Sequence, residues 1–449
     1  MELLAVVNKL IEYFKLEDIG ELIDKLKVIV LSDDKNKIYD DYLKIVGDLE
    51  IDWIQKIFQY YKSNREDLKQ DYTPKSLSKC LAELCCFDDA RTVLDVCSGS
   101  GSLIIEMSKK NKNLKFDCLE LDDNVIPLLL FNLSIHNIEA RVFKYDVIKQ
   151  EMYECYVLTK SDKYSDIKQE KVCNQFISKY DIVTSNPPFN LKTKLNYISN
   201  TGLAIKNSSN AYFTLFCVEH LKKNGRSAII LPTGFITAQK KEDLAVREYL
   251  INHNMLDAVL SCPGNFFEST ATNTSILLID NECISDKTIL VDSSNSCSEW
   301  IREQRGQFGG AAHTGRVYKK KFNYYSDDDI RKIVDAIKDK KEIKDFSIIP
   351  TKKDFKEKKY SCSAGQYFEV EIQYIDITQE EYDDMIDTFV SGFEEFTSGL
   401  LNLQSHINEQ FIKENKTEVI IDTLKKENEK LIQLKQQIMP LLINGQLEL

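Results

Sequence analysis

The residues most suited to chemistry are Ser185-Asn186-Pro187-Pro188-Phe189-Asn190. They directly follow Lys179-Tyr180-Asp181-Ile182-Val183-Thr184, an apolar run that reads as a buried strand ending there. Open parallel sheets bind ligands at the carboxyl edges of their strands. Two consecutive prolines fix two φ angles and remove two backbone donors. What remains is a rigid row of acceptors, the Asn186 side-chain carbonyl and the Pro187 backbone carbonyl, with Phe189 as a flat apolar surface beside them. Such a set suits an amino group on a flat ring. The plainer alternative is a loop whose prolines only stop a strand.

A second group of candidates follows Val93-Leu94-Asp95-Val96, where Cys97-Ser98-Gly99-Ser100-Gly101-Ser102 turns into a helix through Leu103, Ile104, Ile105 and Met107. Glycines there let a ligand approach the backbone closely. The next strand, 116–120, ends in the carboxylate of Glu120, 21 residues after Gly99. That is the place of a ribose-binding acid in nucleotide-binding βαβ units. Alone, this pattern also suits a nicotinamide enzyme. The residue three after Gly101 is Ile104, however, so the third glycine of the dinucleotide fingerprint is missing and a nucleoside without pyrophosphate fits better. Asp146, closing the third strand, is either an acceptor for a ring amino group or a strand-terminal cap.

These residues need elements to position them. Helical spacing runs through residues 1–69, as in Leu3, Val6, Val7, Leu10 and Phe14 or Trp53, Ile54, Ile57, Phe58 and Tyr61, and predicts a helical N-terminal domain. It closes at Gln70-Asp71-Tyr72-Thr73-Pro74-Lys75, where Thr73 reads as an N-cap with Pro74 at the first helical position. From Thr92 short apolar strands alternate with helices, the signature of a doubly wound α/β domain. Strands at 93–96, 116–120, up to 146, 179–184, 226–232, 256–260 and 274–279 predict a seven-stranded Rossmann-like sheet.

The stretch 150–179 is too long and charged for core. Residues 191–210, rich in Asn, Ser, Thr and Lys, read as a mobile lid beside the site or as an ordinary insertion. Residues 281–320 read as polar, irregular chain marked by Gly306, Gly309, Gly310 and Gly315, 327–338 as a helix, and 360–377 as mixed and short-stranded. From 377 the chain is helical. Leu424, Leu431, Leu434, Ile438 and Leu441 make a narrow seam for another helix, in this chain or in a partner. The expected divisions are 1–69, 70–300, 301–376 and 377–449.

At 449 residues the chain has room for two or three domains. Its 59 basic and 71 acidic residues give a net charge of -12, which disfavours indiscriminate adhesion to nucleic acid. A nucleic-acid partner must then meet a local basic surface. Lys319-Lys320-Lys321 and the lysines of 352–359 are candidates, or else solvated faces. Twelve scattered cysteines without a CxxC pair read as buried thiols of a reduced, cytoplasmic protein. Glu12, Lys15, Glu17 and Asp18 come too soon for a signal-peptide core, and no run approaches 18 apolar residues, so no membrane partner is expected. Five dispersed histidines predict no metal site.

Together these residues resemble the adenine-specific, S-adenosylmethionine-dependent DNA amino-methyltransferases, and more closely the modification subunits of type I restriction-modification systems. The resemblance runs from about Asp71 to Val370. It rests on Tyr72-Thr73-Pro74, on Asp95-Val96-Cys97-Ser98-Gly99-Ser100-Gly101 as methyl-donor loop, and on Asn186-Pro187-Pro188-Phe189 as catalytic tetrapeptide. Two later blocks also match, Leu221-Lys222-Lys223-Asn224-Gly225-Arg226 through Leu231-Pro232, and Leu260-Ser261-Cys262-Pro263-Gly264-Asn265-Phe266-Phe267 through Thr274-Ser275-Ile276-Leu277. It departs at Asp95-Val96, where the family commonly has Asp-Pro.

The resemblance implies a class I methyltransferase sheet with helical extensions at both ends. It implies S-adenosylmethionine held by Tyr72, Thr73, Pro74, Asp95, Ser98, Gly99, Ser100, Gly101, Ser102, Glu120 and Asp146, and a flipped adenine of double-stranded DNA as acceptor. The implied partners are a specificity subunit, packed against helix ends such as Leu434-Lys435-Gln436-Gln437 to Leu441-Leu442-Ile443-Asn444-Gly445, and a restriction subunit as a further candidate. Other readings stay open. They are a stand-alone adenine methyltransferase reading its own site with residues 300–449, an enzyme acting on protein glutamine or RNA, a non-catalytic assembly protein of the same fold, and a nicotinamide oxidoreductase.

Overall fold

A computed structural model describes residues 3–61, 72–170, 176–267, 272–282, 285–305, 317–369, 378–412, 425–426 and 429–430. Four helices come first, α1 (Leu3–Phe14), α2 (Leu22–Ile29), α3 (Lys35–Val46) and α4 (Trp53–Tyr61). The apolar stripe of α1 at Val6, Val7, Leu10 and Phe14 is buried, as its spacing predicts. Then helices and strands alternate: α5 (Lys75–Cys85), β1 (Thr92–Val96), α6 (Ser102–Lys110), β2 (Lys115–Glu120), α7 (Ile126–Ile135) and β3 (Ala140–Asp146).

Every residue of α7 is buried. Tyr39 and Tyr42 of α3 meet its Phe131 edge-on at 4.9 and 5.1 Å. A helix apolar all round must be covered on all sides, and the N-terminal helices supply the outer cover. They share one core with α7 and the sheet, and residues 1–369 form one compact unit.

Next come β4 (Glu151–Thr159), β5 (Asp166–Glu170) and β6 (Tyr180–Ser185), followed by a small hairpin of β7 (Tyr197–Ile198) and β8 (Ala204–Ile205). The chain continues through α8 (Ser209–Glu219), β9 (Leu221–Pro232), α9 (Gly234–Thr237), α10 (Lys241–Asn252), β10 (Leu256–Ser261) and β11 (Thr274–Asp280). It ends in β12 (Ile289–Asp292), β13 (Ser298–Arg305), β14 (Val317–Tyr324), α11 (Asp327–Lys338), β15 (Ser347–Ile348), α12 (Lys352–Glu357) and α13 (Gln379–Ile412), the last in a second unit of residues 370–449.

The main sheet has eleven strands in the order β15-β12-β10-β11-β9-β6-β1-β2-β3-β4-β5. The seven expected strands are its middle, and the count is corrected by β4, β5, β12 and β15 at the two edges. Residues 150–179, read as too long and charged for core, thus carry two strands of the sheet. β4 and β5 pair antiparallel beyond β3 and leave much of their length in water, so they lack the apolar run that marks a buried strand. Likewise 281–320 is strand-bearing, because β13 pairs with β14 in a separate hairpin. Gly306, Gly309, Gly310 and Gly315 lie outside the described residues. Among the described residues of 360–377 there is one short 3₁₀ turn, Ala364–Gln366, and no strand. The seam residues Leu424, Leu431, Leu434, Ile438 and Leu441 also lie outside the described residues. Among the described residues nine cysteines are free thiols, whereas Cys155, expected as a thiol, is disulfide-bonded.

From β9 through β3 all neighbours run parallel, while β11 runs antiparallel to both β9 and β10. The chain winds outward from β1 to β3 and resumes with β6 on the other side of β1. The winding direction therefore reverses between β1 and β6, and an open α/β sheet leaves a crevice at such a point.

Candidate active site

Val96 of β1 pairs with Ser185 of β6, so Cys97 and Asn186 leave the sheet side by side. Two cross-strand bonds fix the register. Ser185 Oγ donates to the Val96 carbonyl at 2.6 Å, and Thr184 Oγ1 donates to Asp95 Oδ1 at 3.0 Å. The two loops singled out by residue type thus start from one locked strand pair.

The first loop is bent by left-handed residues, Cys97 at φ 65°, Gly99 at 56° and Gly101 at 88°. Only glycine takes this conformation freely, so Cys97 is a strained position. The Gly99 N–H donates to Glu120 Oε2 at 2.8 Å, and Glu120 Oε1 accepts from the N–H groups of Leu121 and Asp122 at 2.8 and 2.9 Å. Burial raises the Glu120 pKa, although these three bonds favour the charged form. A carboxylate has about four acceptor positions, so three bonds leave capacity for a ligand. The two glycines face opposite ways. Gly99 lies under the Tyr72 ring at the cleft, whereas a Cβ on Gly101 would stand 2.9 Å from Leu129 Cδ1. Gly101 admits α7, not a ligand.

In the second loop, Asn186 Nδ2 donates to Thr73 Oγ1 at 3.0 Å. This corrects the reading of Thr73 as an N-cap. Pro74, extended at φ -61° and ψ 143°, takes the cap position of α5, and its carbonyl accepts from Leu77 and Ser78. The Thr73 hydroxyl instead orients the amide, since a donor bond at Nδ2 decides which end of an asparagine is which. Phe189 meets Phe267 edge-on at 6.4 Å. Asn190, at φ 51°, donates its N–H to Asn210 Oδ1 at 3.3 Å and accepts from Asn210 Nδ2 at 3.0 Å. The segment 191–210, read as a lid or insertion, is a pinned hairpin. Leu195 and Ile205 are buried, and Glu242 accepts from the N–H groups of Lys206, Asn207 and Ser208 at 3.1, 3.0 and 2.7 Å.

Both loops open into one cleft of about 1130 Å³, its open mouth included. Of the residues singled out by type, Tyr72, Thr73, Ser98, Gly99, Ser100, Ser102, Glu120, Asp146, Asn186, Pro187, Pro188 and Phe189 line it. Three expected residues stand elsewhere. Pro74 lines a neighbouring groove, Gly101 faces α7, and Asp95 lies beneath the loop. Asp95 is 1% exposed, its Oδ2 has no partner among the described residues, and burial pushes its carboxyl up to about 7. Asp146 lines the cleft, and its Oδ1 accepts from the N–H groups of Ile148 and Lys149 at 3.0 Å each, as a strand-terminal cap does.

Among the other lining residues, Leu121, Val125, Ile148, Leu191 and Phe213 were missed. Their types match ordinary core. The only signal for Leu121 and Ile148 is a place just after a strand.

The model of the N-6 DNA Methylase family matches residues 51–374. The type I restriction enzyme MpnII methylase subunit of Mycoplasma pneumoniae is 25% identical over 410 residues, covering 86% of this chain and 69% of that protein. The MjaVIII methylase subunit of Methanocaldococcus jannaschii is 24% identical over 399 residues, covering 82% of this chain and 63% of its own length. In the crystal structure of a type I restriction-modification system methyltransferase subunit from Streptococcus thermophilus, the same fold recurs with a TM-score of 0.55 at 18% identity, over 82% of this chain and 80% of that one.

Proposed function

The chain belongs to the N-6 DNA methylase family, and from that premise we propose that it is the modification subunit of a type I restriction-modification complex. In this reading it is an adenine-specific DNA methyltransferase that moves a methyl group from S-adenosylmethionine to the exocyclic N6 amine of adenine. The observation that carries the reading is the single cleft at the β1–β6 switch point, with the Cys97–Ser102 loop, Glu120 and Asp146 on one side and Asn186 to Phe189 on the other.

The residues fit this donor. Tyr72 OH and Ser100 Oγ are buried in the cleft wall without a partner among the described residues, and buried polar atoms ordinarily have one. Glu120 suits ribose hydroxyls, Asp146 the donor's ring amine, and the Ser98 to Ser102 backbone its methionine part. When bound, S-adenosylmethionine supplies an electrophilic methyl on a sulfonium.

The acceptor amine is a poor nucleophile because its lone pair is delocalised into the ring. Asn186 Oδ1 and the Pro187 carbonyl, each accepting one amine hydrogen, draw the nitrogen toward tetrahedral geometry and free the lone pair. No strong general base is needed. Thr73 fixes the amide for this task by holding its Nδ2 end. Extruding an adenine from a duplex costs a few kcal/mol. Stacking on Phe189 offsets about 1–3 kcal/mol of that.

Among the described residues no helix is long and apolar enough to cross a membrane, in keeping with work on DNA in the cytoplasm. With a net charge of -12, choosing the site falls to a specificity subunit. The test is adenine-methylation mapping in cells carrying the wild type or Asn186→Ala. Losing this acceptor should slow transfer roughly a hundred- to a thousandfold and empty the modified sites. Unchanged methylation at every such site sinks the mechanism, and label transferred to protein or RNA instead of DNA sinks the substrate class.

A further inference from the structure

Asn132 sits in the middle of α7 at 4% exposure. A polar side chain so buried needs partners, and Asn132 has them on two separate elements. Its Nδ2 donates to the Ser100 carbonyl in the donor loop at 2.9 Å and to Asp52 Oδ2 at 2.7 Å. Asp52 stands immediately before α4, where its other oxygen accepts from the Gln55 N–H at 2.8 Å, in the manner of an N-cap. One amide thus bridges the N-terminal helices and the backbone of the loop.

The loop needs such a tie. Three of its five residues from 97 to 101 are left-handed, and residues in sparsely populated conformations persist only where the surroundings over-determine them. Leu129 and Leu133, three before and one after Asn132, close over Gly101 and set how near α7 comes. Asn132 sets direction. By holding the Ser100 carbonyl it fixes the Ser100–Gly101 peptide plane, and with it the face that Gly99 and Ser100 turn toward the cleft.

We propose that Asn132 and Asp52 are positioning residues for the methyl donor, which makes the N-terminal helices part of the donor-binding machinery. None of the described residues 3–61 lines the cleft; these helices act on it through Asp52, Asn132 and the Ser100 carbonyl. The inference rests on assigning the cleft to S-adenosylmethionine.

The experiment is calorimetric titration of S-adenosylmethionine and S-adenosylhomocysteine into the full chain, with hydrogen exchange of residues 97–101 followed in parallel. N132A should weaken both ligands about tenfold, as loss of a buried hydrogen bond does, and speed exchange in the loop. In turnover the loss should appear in the donor KM more than in kcat, whereas a merely structural defect would lower the active fraction and leave KM alone. D52A should weaken binding severalfold, D52N should recover most of it because an acceptor oxygen remains, and D52A combined with N132A should be no weaker than N132A alone. If N132A does not fold, D52A, at a partly exposed position, carries the test. Donor binding by the wild type that is indifferent to both substitutions overturns the clamp alone. No donor binding by the wild type overturns the cleft assignment and the clamp with it.

Discussion

Asp95 stands at the edge of the site without facing it. It lies under the donor loop, accepts from Thr184, and has its carboxyl pushed up to about 7 by burial. A folded pKa above the unfolded 3.8 means that the neutral form is favoured on folding. The associated stability is complete below about pH 4 and is lost as the pH rises through 7. Asn mimics the neutral acid, so Asp95→Asn should match the wild type near pH 4 and exceed it progressively up to pH 8. About three pKa units set an upper bound of roughly 4 kcal/mol. Urea denaturation at pH 4, 6 and 8 checks this; a gap that does not widen with pH removes the account. Residue types made this part of the site legible, because glycines, prolines and carboxylates at strand ends are few and specific. The tasks of Thr73 and Asn132 were not. A lone polar residue in sequence does not say which distant atom it will hold, and both partners, Asn186 and Ser100, come from elsewhere in the fold.

At the level of elements, the seven core strands were readable because strands buried on both faces carry continuous apolar runs. The edge pair β4 and β5 was not, because water covers what neighbouring strands would otherwise require to be apolar. The same limit applies to the loop that joins β1 to α6. Sequence shows two glycines but not that one serves a ligand and the other a helix. Their difference is measurable. Gly101→Ala meets Leu129 at 2.9 Å in a φ of 88°, so it should cost stability by about 2–4 kcal/mol, combining backbone strain and overpacking. Gly99→Ala meets only the Tyr72 ring at an ordinary 3.6 Å, so its stability loss should be nearer 1–2 kcal/mol, with donor affinity the more damaged property. Thermal denaturation beside donor titration separates them, and equal losses of stability would contradict the packing role of Gly101.

For the whole molecule the question is how an acidic chain engages DNA. The basic runs noted in the sequence are only partly compensated among the described side chains, with Lys356, Lys358 and Lys359 standing exposed. Lys321 pairs with Glu299, Lys353 lies 3.8 Å from Glu357, and Lys352 Nζ donates to the Asn252 carbonyl. Binding by neutralising phosphates needs free cations; few stand here against a net charge of -12, so we propose that a partner supplies the rest. We propose that α13 presents a surface for one. Phe396, Leu400 and Leu403, spaced on one helical face, are 63%, 40% and 58% exposed, and apolar groups left in water together mark interaction sites. Replacing Leu400 and Leu403 together by Glu changes exposed positions only, so α13 should persist while copurification with the specificity subunit and site-specific methylation are lost. Donor affinity should stay at the wild-type value, because the cleft belongs to residues 1–369. Retained assembly and full methylation in that double variant would move the partner surface off α13, whereas lost donor affinity would show that the two units of the chain depend on one another.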